Sequence, residues 1–321
     1  MTDHRIRSGS LQFWPRKRAK KILPSVNWNA VKSESKINGF IGYKVGMISV
    51  YAKDNTADSM TKNKKIIIPT TILECPKMKI YSVRLYKNNK VLQDVIVGFD
   101  KELKRKLKKP KQIKDITKEL EKIKQEYDDI RVIVHSDVKS TAIKKTPDLI
   151  ELGLGGSRED KLSFIKEKIG KEISISEVFN KTDGENITID VRGVTKGFGT
   201  QGPVKRFGIT LKSYKSEKGR RRPGSIGPWH PARVTFRVPM AGQTGFHTRV
   251  EYNKQILKVG NVKENDINRE QGFHRFGKIK TDYILIRGSV PGPNKRVLLL
   301  TPAIRPTKKQ TKQKYEVLEL R

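Results

Sequence analysis

The side chains in this sequence best equipped for chemistry are cationic, and the chemistry they suit is the pairing of anions. Between Val194 and Lys254 about a dozen lysines and arginines stand against two carboxylates, Glu217 and Glu251. Lys205, Arg206, Lys212, Lys215, Lys218 and the Arg220, Arg221, Arg222 triplet are interleaved with Gly and Pro, which favour an extended loop over a packed element. Lysine brings a point charge, and arginine a planar fork that grips a phosphate through two hydrogen bonds. Lys196, Arg233 and Arg249 prolong the basic surface, and Gln243 and His247 add polar groups. Trp229 and His230 supply rings able to stack on unpaired bases, or, in the case of Trp229, to pin the loop on protein.

Such a segment holds few large apolar side chains to offset the backbone entropy of ordering it. Residues 203–231 are therefore expected to be disordered alone and to take shape against a polyanion, releasing its condensed counterions. RNA suits this best, because an irregular fold offers both phosphates and exposed bases. A second stretch repeats the combination. Within residues 1–36, Arg5, Arg7, Arg16, Lys17, Arg18, Lys20 and Lys21 surround Phe13 and Trp14, without a sustained period of 2 or 3.6.

The whole chain agrees with its parts. Its 321 residues carry 69 Lys and Arg against 33 Asp and Glu, a formal charge of +36 that would repel itself in an isolated compact state. An anionic partner is implied. The 35% apolar fraction supports a core but is lean for this length, so part of the chain lies outside it. No apolar run approaches the roughly 20 residues of a membrane span, and the N-terminus has no apolar signal region. A cytoplasmic protein without a membrane partner is expected. Cys75 is the single cysteine, which rules out an internal disulfide and a multi-cysteine metal site and points to a buried thiol in a reducing compartment.

Other chemistries fit poorly. Gly197, Gly199 and Gly202 satisfy G-x-G-x-x-G, but a dinucleotide fingerprint needs a helix opening in that loop, and the residues from Pro203 onward show no helical period. These glycines are expected to let the backbone approach RNA phosphates, with Lys196 adding charge. The five histidines lack zinc spacing and have no carboxylate cluster, so no metal and no cofactor is expected. Only Glu251 could orient His230 or His247 beside Ser225 or Thr248.

These groups need a mount. GFIGYKVGMISVYA (Gly39 to Ala52), IIIPTTILEC (Ile66 to Cys75), MKIYSVRLYK (Met78 to Lys87) and VLQDVIVGF read as short β-strands, with Lys87 to Lys90 a hairpin turn and 54–65 a polar loop. Asn186 to Val194, Thr248 to Gly260 and two apolar strands within 282–306 continue this texture. Residues 100–185 differ. Ile116, Leu120, Ile123 and Tyr127 make an amphipathic helical stripe, Ile130 to Ser136 and Leu149 to Gly156 are strands, and Ser157 with Asp160 forms a capping box for a helix to Lys168. The fold class is mainly β with an α/β insertion. A basic arm (1–36) precedes a β-barrel (37–99 plus 186–306) that is interrupted by a central loop (203–247) and an α/β module (100–185), and a polar tail (307–321) closes the chain. On the residues alone, three functions remain open: a structural RNA-binding protein, an RNA-modifying or RNA-cleaving enzyme using His230 or His247, and an RNA chaperone without a fixed site.

GSLQFWPRKRA (Gly9 to Ala19), GFIGYKVGM (Gly39 to Met47), DVRGVTKGFGTQG (Asp190 to Gly202), GSIGPWHPARV (Gly224 to Val234), AGQTGFHTR (Ala241 to Arg249) and GSVPGPNKRVLLL (Gly288 to Leu300) together resemble the family of the universal large-subunit ribosomal protein three, in its archaeal and eukaryotic form. The resemblance implies a translation-factor-like barrel with an α/β insertion, whose N-terminal extension and central loop run through 23S-type ribosomal RNA. It implies a non-catalytic structural constituent of the cytoplasmic ribosome that nucleates subunit assembly beside neighbouring ribosomal proteins. Trp229 matches the tryptophan near the loop tip, toward the peptidyl-transferase region. Where eukaryotic members carry a modifiable histidine about a dozen residues earlier, this chain has SEKGRRR, with Glu217 near that position.

Overall fold

The computed structural model describes residues 7–31, 37–111, 118–119, 127–179 and 186–320. Arg5 and most of the expected helical stripe (Ile116, Leu120 and Ile123) lie outside them. The chain divides into two compact units, one of Met1–Ile22 with Val194–Arg249, the other of Leu23–Gly193 with Val250–Arg321.

The larger unit is built from strands. β1 (Phe40–Asp54), β2 (Lys65–Cys75), β7 (Thr188–Val194), β10 (Thr248–Asn261), β11 (Asp282–Arg287), β12 (Val297–Pro302) and β13 (Tyr315–Leu320) form one sheet in the order β12-β7-β10-β11-β2-β1-β13. The long strand β1 also pairs with β12 through Phe40–Tyr43, so the first six strands in that order return to their start. Alternation explains the arrangement: Ile48, Val50 and Ala52 point inward while Met47 and Ser49 face out. The apolar runs Leu298–Leu300 and Tyr283–Ile286 are buried on both sides, so they occupy interior positions.

A second, four-stranded sheet runs β4 (Lys90–Ile96), β3 (Met78–Lys87), β5 (Asp129–Ser136), β6 (Leu149–Gly153). Asn88 and Asn89 both adopt left-handed φ, 48° and 60°, as a two-residue hairpin turn of mirror-image type requires. The helix Arg158–Lys168 has the expected capping box, in which Ser157 and Asp160 satisfy each other's backbone amides.

Three boundaries differ from the sequence reading. β3 and β4, placed within 37–99 as barrel strands, belong instead to the sheet of β5 and β6, because the 88–89 turn holds β4 on β3 and the register of Met78–Tyr86 on Ser136–Asp129 holds β3 on β5. Residues 23–31 do not belong to an extended arm: Trp28 and Val31 are buried in the main hydrophobic core. The tail is structured as well, with a short helix at Lys308–Lys312 and β13 laid antiparallel along Val50–Asp54. Its alternation, too polar to read as a buried strand, suits an edge with one wet face.

Buried polar groups hold the unit at a few places. Tyr43 donates to Asp148 at 2.6 Å and lies 2.8 Å from the Ser136 hydroxyl, tying β1 to the second sheet. Cys75 is buried, and burial pushes its thiol well up. His135 is buried at the end of β5 with Nε2 3.7 Å from Asp100, and burial pushes its pKa down. Asp54 closes the 54–65 loop by accepting from the Thr56 amide and the Ser59 and Thr61 hydroxyls. Burial raises the Asp54 pKa, but those donors outweigh it and leave the carboxyl well below its ordinary value. A depressed folded pKa stabilises the fold above the unfolded pKa, and the gain disappears as pH falls through the folded one. The stability advantage of the parent over Asp54→Asn should thus be constant above about pH 4 and narrow below it. Denaturant melts across pH 2–7 check this, and a gap that widens on acidification contradicts it.

Candidate nucleic-acid interface

The smaller unit is organised at the root of the basic loop. β8 (Gly199–Gln201) pairs antiparallel with β9 (Gly242–Thr244), which brings the loop's two ends together. The ladder continues outward through Phe198 N–H to Thr244 C=O, Phe246 N–H to Lys196 C=O, and Thr195 N–H to His247 C=O. Gly245 makes the turn possible: its φ is +72°, and a Cβ there would meet the Lys196 carbonyl oxygen at 2.0 Å. Of the G-x-G-x-x-G glycines, Gly197 backs onto Phe246, while Gly199 and Gly202 border open space. One turn of helix, Pro203–Phe207, does begin here, contrary to expectation. Proline at its first position is preset for a helix, and left-handed Gly208 ends it after five residues, too soon for a period to register in the sequence.

The arm closes over this root. The Ser8 amide and hydroxyl both donate to Phe207 C=O at 2.7 Å, Arg16 Nη1 to Arg206 C=O at 2.8 Å, and the Ala19 amide to Phe246 C=O at 2.8 Å. Gly9, with φ +100°, lets the Arg16 guanidinium pass where a Cβ would stand 1.9 Å from Nη2. Trp14 stacks on buried Phe207, centroids 6.0 Å apart at 16°, and meets Phe236 edge-on at 5.6 Å. Arg7 and Arg16 lie over both Trp14 and Phe207 at 4.3–5.7 Å, contacts worth about 0.5–2 kcal/mol each according to their exposure. The expected base-stacking Trp14 is therefore engaged within the unit. Phe13 is 54% exposed beneath Arg249.

His247 sits 3.0 Å from the Lys17 carbonyl through Nδ1. Burial, and then the charges of Arg249, Arg16 and Arg206, push its pKa down, with the Lys17 contact opposing. The ring is neutral at pH 7 and donates from Nδ1–H. His230 is exposed on the loop, and Glu251 pairs with Lys254 at 3.3 Å, so neither histidine is given a carboxylate partner. Among the described residues, no group of three or more His, Cys, Asp or Glu could hold a metal, and no helix is long and apolar enough to cross a membrane.

The cations divide into two sets. Arg206 donates to the Gln243 and Met240 carbonyls at 3.1 and 3.0 Å, and Arg16 to Arg206 itself, so both fasten main chain. Lys17, Arg18, Lys20, Lys196, Lys205, Lys212, Lys215, Arg221, Arg222 and Arg233 are exposed. Arg220 is exposed too, but it also braces the loop, exchanging a backbone bond with Lys212 and donating from Nε to its carbonyl. From Gly208 to Ala241 there is no helix or strand. Trp229, 86% exposed, stands in a shallow apolar dish with Ile226, Pro228 and Val234. The sequence reading missed Phe236 and Gly245. Phe236 lies in an exposed basic run, where only its ring among VTFRV could have signalled a contact with the distant Trp14.

The family model described as Ribosomal protein L3 matches residues 2–320. The large ribosomal subunit protein uL3 of Archaeoglobus fulgidus is 41% identical over 317 residues, covering 96% of this chain and 94% of that protein. The uL3 proteins of Methanosphaera stadtmanae and Methanothermobacter thermautotrophicus are each 42% identical with the same coverage. A family match along nearly the whole chain, joined by relatives of this identity, means that the chain belongs to the ribosomal protein L3 family.

Proposed function

We propose that this protein is a structural constituent of the large ribosomal subunit that binds 23S-type rRNA through its arm and central loop. It is not an enzyme, as its family is structural. The observation that carries the reading is the loop between Gly208 and Ala241, basic and exposed, without regular structure, yet tied at both ends to the β8–β9 ladder. Such a segment gains its shape from the polyanion it neutralises. The returning strand order of the larger unit fits a translation-factor-like barrel, with β3–β6 as part of the insertion. On this reading the protein binds rRNA early in assembly beside neighbouring ribosomal proteins. The loop extends toward the peptidyl-transferase centre, with Lys212, Lys215, Arg221, Arg222 and Arg233 on phosphates and Trp229 and Phe13 on bases or sugars. No small-molecule substrate or cofactor enters this role.

Cosedimentation tests the reading as a whole: stoichiometric recovery with large subunits through a high-salt wash supports it, and recovery only in the free protein pool refutes it. Neutralising Arg220, Arg221 and Arg222 should flatten the salt dependence of rRNA binding by about 0.7–0.9 in log-log slope for each phosphate left unpaired. An unchanged slope would mean that these side chains face solvent in the complex. Because Trp229 is so exposed, Trp229→Ala should leave thermal stability within about 0.5 kcal/mol of the parent. It should nevertheless change chemical protection of rRNA near the peptidyl-transferase site, and an identical protection pattern would remove the stacking role.

A further inference from the structure

We infer that Arg7 and Trp14 hold one phosphate-type anion where the arm meets the loop root, and, resting on the rRNA-binding reading, that this anion is a phosphodiester of the bound RNA. Three donors carry the inference. Nε and Nη2 of Arg7 and Nε1 of Trp14 are buried without a hydrogen-bond partner among the described residues. Nε and Nη2 form the side-on fork by which a guanidinium takes a carboxylate or phosphate in two parallel bonds. Leaving a buried donor unmade is costly, and more so for a charged group, so donors in this position imply a partner.

The position of the fork restricts that partner. The Arg7 guanidinium lies over two rings, 5.6 Å from the Trp14 centroid and 5.1 Å from that of Phe207. The two ring centroids are themselves 6.0 Å apart, so both rings lie to one side of the guanidinium and give its fork an apolar surround there. The indole N–H of Trp14 is on one of those same rings, whose centroid is 5.6 Å from the guanidinium carbon, and one ligand is inferred to bridge ring and fork. A tetrahedral anion has the oxygens to do so, two for the fork and a third for the indole.

Charge points the same way. Burial lowers the Arg16 pKa, and the neighbouring charges of Arg206, Arg7 and Arg249 lower it further. Four guanidiniums therefore crowd one place, while His247 beside them is neutral. Arg16 and Arg206 are occupied with main-chain carbonyls, which carry no charge to offset this. Among the described residues of this unit Glu217 is the one carboxylate, and it lies exposed on the loop without an ion pair. The chain's other candidate within the arm is Asp3, outside the described residues.

The full-length protein has three tryptophans, so three indole N–H signals report a titration with inorganic phosphate at constant ionic strength. Trp229, exposed, and Trp28, buried in the other unit, serve as internal controls. The Trp14 signal should shift saturably while the other two stay in place, and Arg7→Lys, which keeps the charge and loses the fork, should weaken the effect about tenfold or more. Asp3→Asn should leave the shift intact. An unmoved Trp14 signal, equal movement of all three, or full retention in Arg7→Lys overturns the site. A shift that emerges only in Asp3→Asn also overturns it, since the chain's own carboxylate would then fill the fork.

The RNA source is tested separately by phosphate-modification interference in the rRNA complex. Parent protein should show a protected phosphate that Arg7→Lys leaves unprotected while the remaining protections persist. Identical interference in both proteins overturns the phosphodiester assignment even where free phosphate binds. Failure of the parent to bind rRNA at all overturns the functional reading instead, and the titration still decides the site.

Discussion

The smaller unit depends on one substitution of partners: with almost no carboxylates available, its arginines bond to main-chain carbonyls and aromatic faces. Arg16 holds Arg206 C=O, Arg206 holds Gln243 and Met240 C=O, and Arg220 holds Lys212 C=O. Hydrogen bonds from charged donors are worth about 1.5–3 kcal/mol each. They leave the positive charge in place, unlike an ion pair. A basic excursion can thus be fastened at its root without consuming the charge that it presents.

The larger unit follows the opposite rule. Arg84 is paired by Asp94 and Glu151, Arg131 by Asp129 and Glu151, and Lys161 by Asp129. There the cations are locally neutralised on the surface of the second sheet, and the apolar core carries stability. Per residue the surplus charge is densest in the unit of arm and loop, whose 78 residues carry +17 against +19 for the other 243. That division suits a protein whose globular part is a mount and whose loop and arm contact a polyanion.

Within that scheme the aromatic residues take different parts. Trp14 and Phe207 form a miniature core between arm and root, whereas Trp229 stands bare at the far part of the loop. Residue type is the same in Trp14 and Trp229, and both have basic neighbours in the sequence. The difference is that Trp14 finds Phe207 and Phe236 across the fold, while the residues around Trp229 make only a shallow dish.

Composition and local pattern were enough to establish the charge and its segregation, most strand positions, the Asn88–Asn89 hairpin, the capping box at Ser157 and Asp160, and the basic loop between two strands. These are local consequences of periodicity, turn chemistry and counter-charge, and they need no knowledge of distant contacts. Strand partnership was not legible, because Met78–Lys87 has the same β-branched texture whether it joins β2 or β5. Nor was the order in residues 23–31 and 315–320, which rests on burial of Trp28 and on pairing with β1. The union of arm and loop root was hidden most completely. Trp14 and Phe207 are separated by nearly two hundred residues, and only the closure of the chain brings their rings, and the unpaired donors of Arg7 and Trp14, into one place.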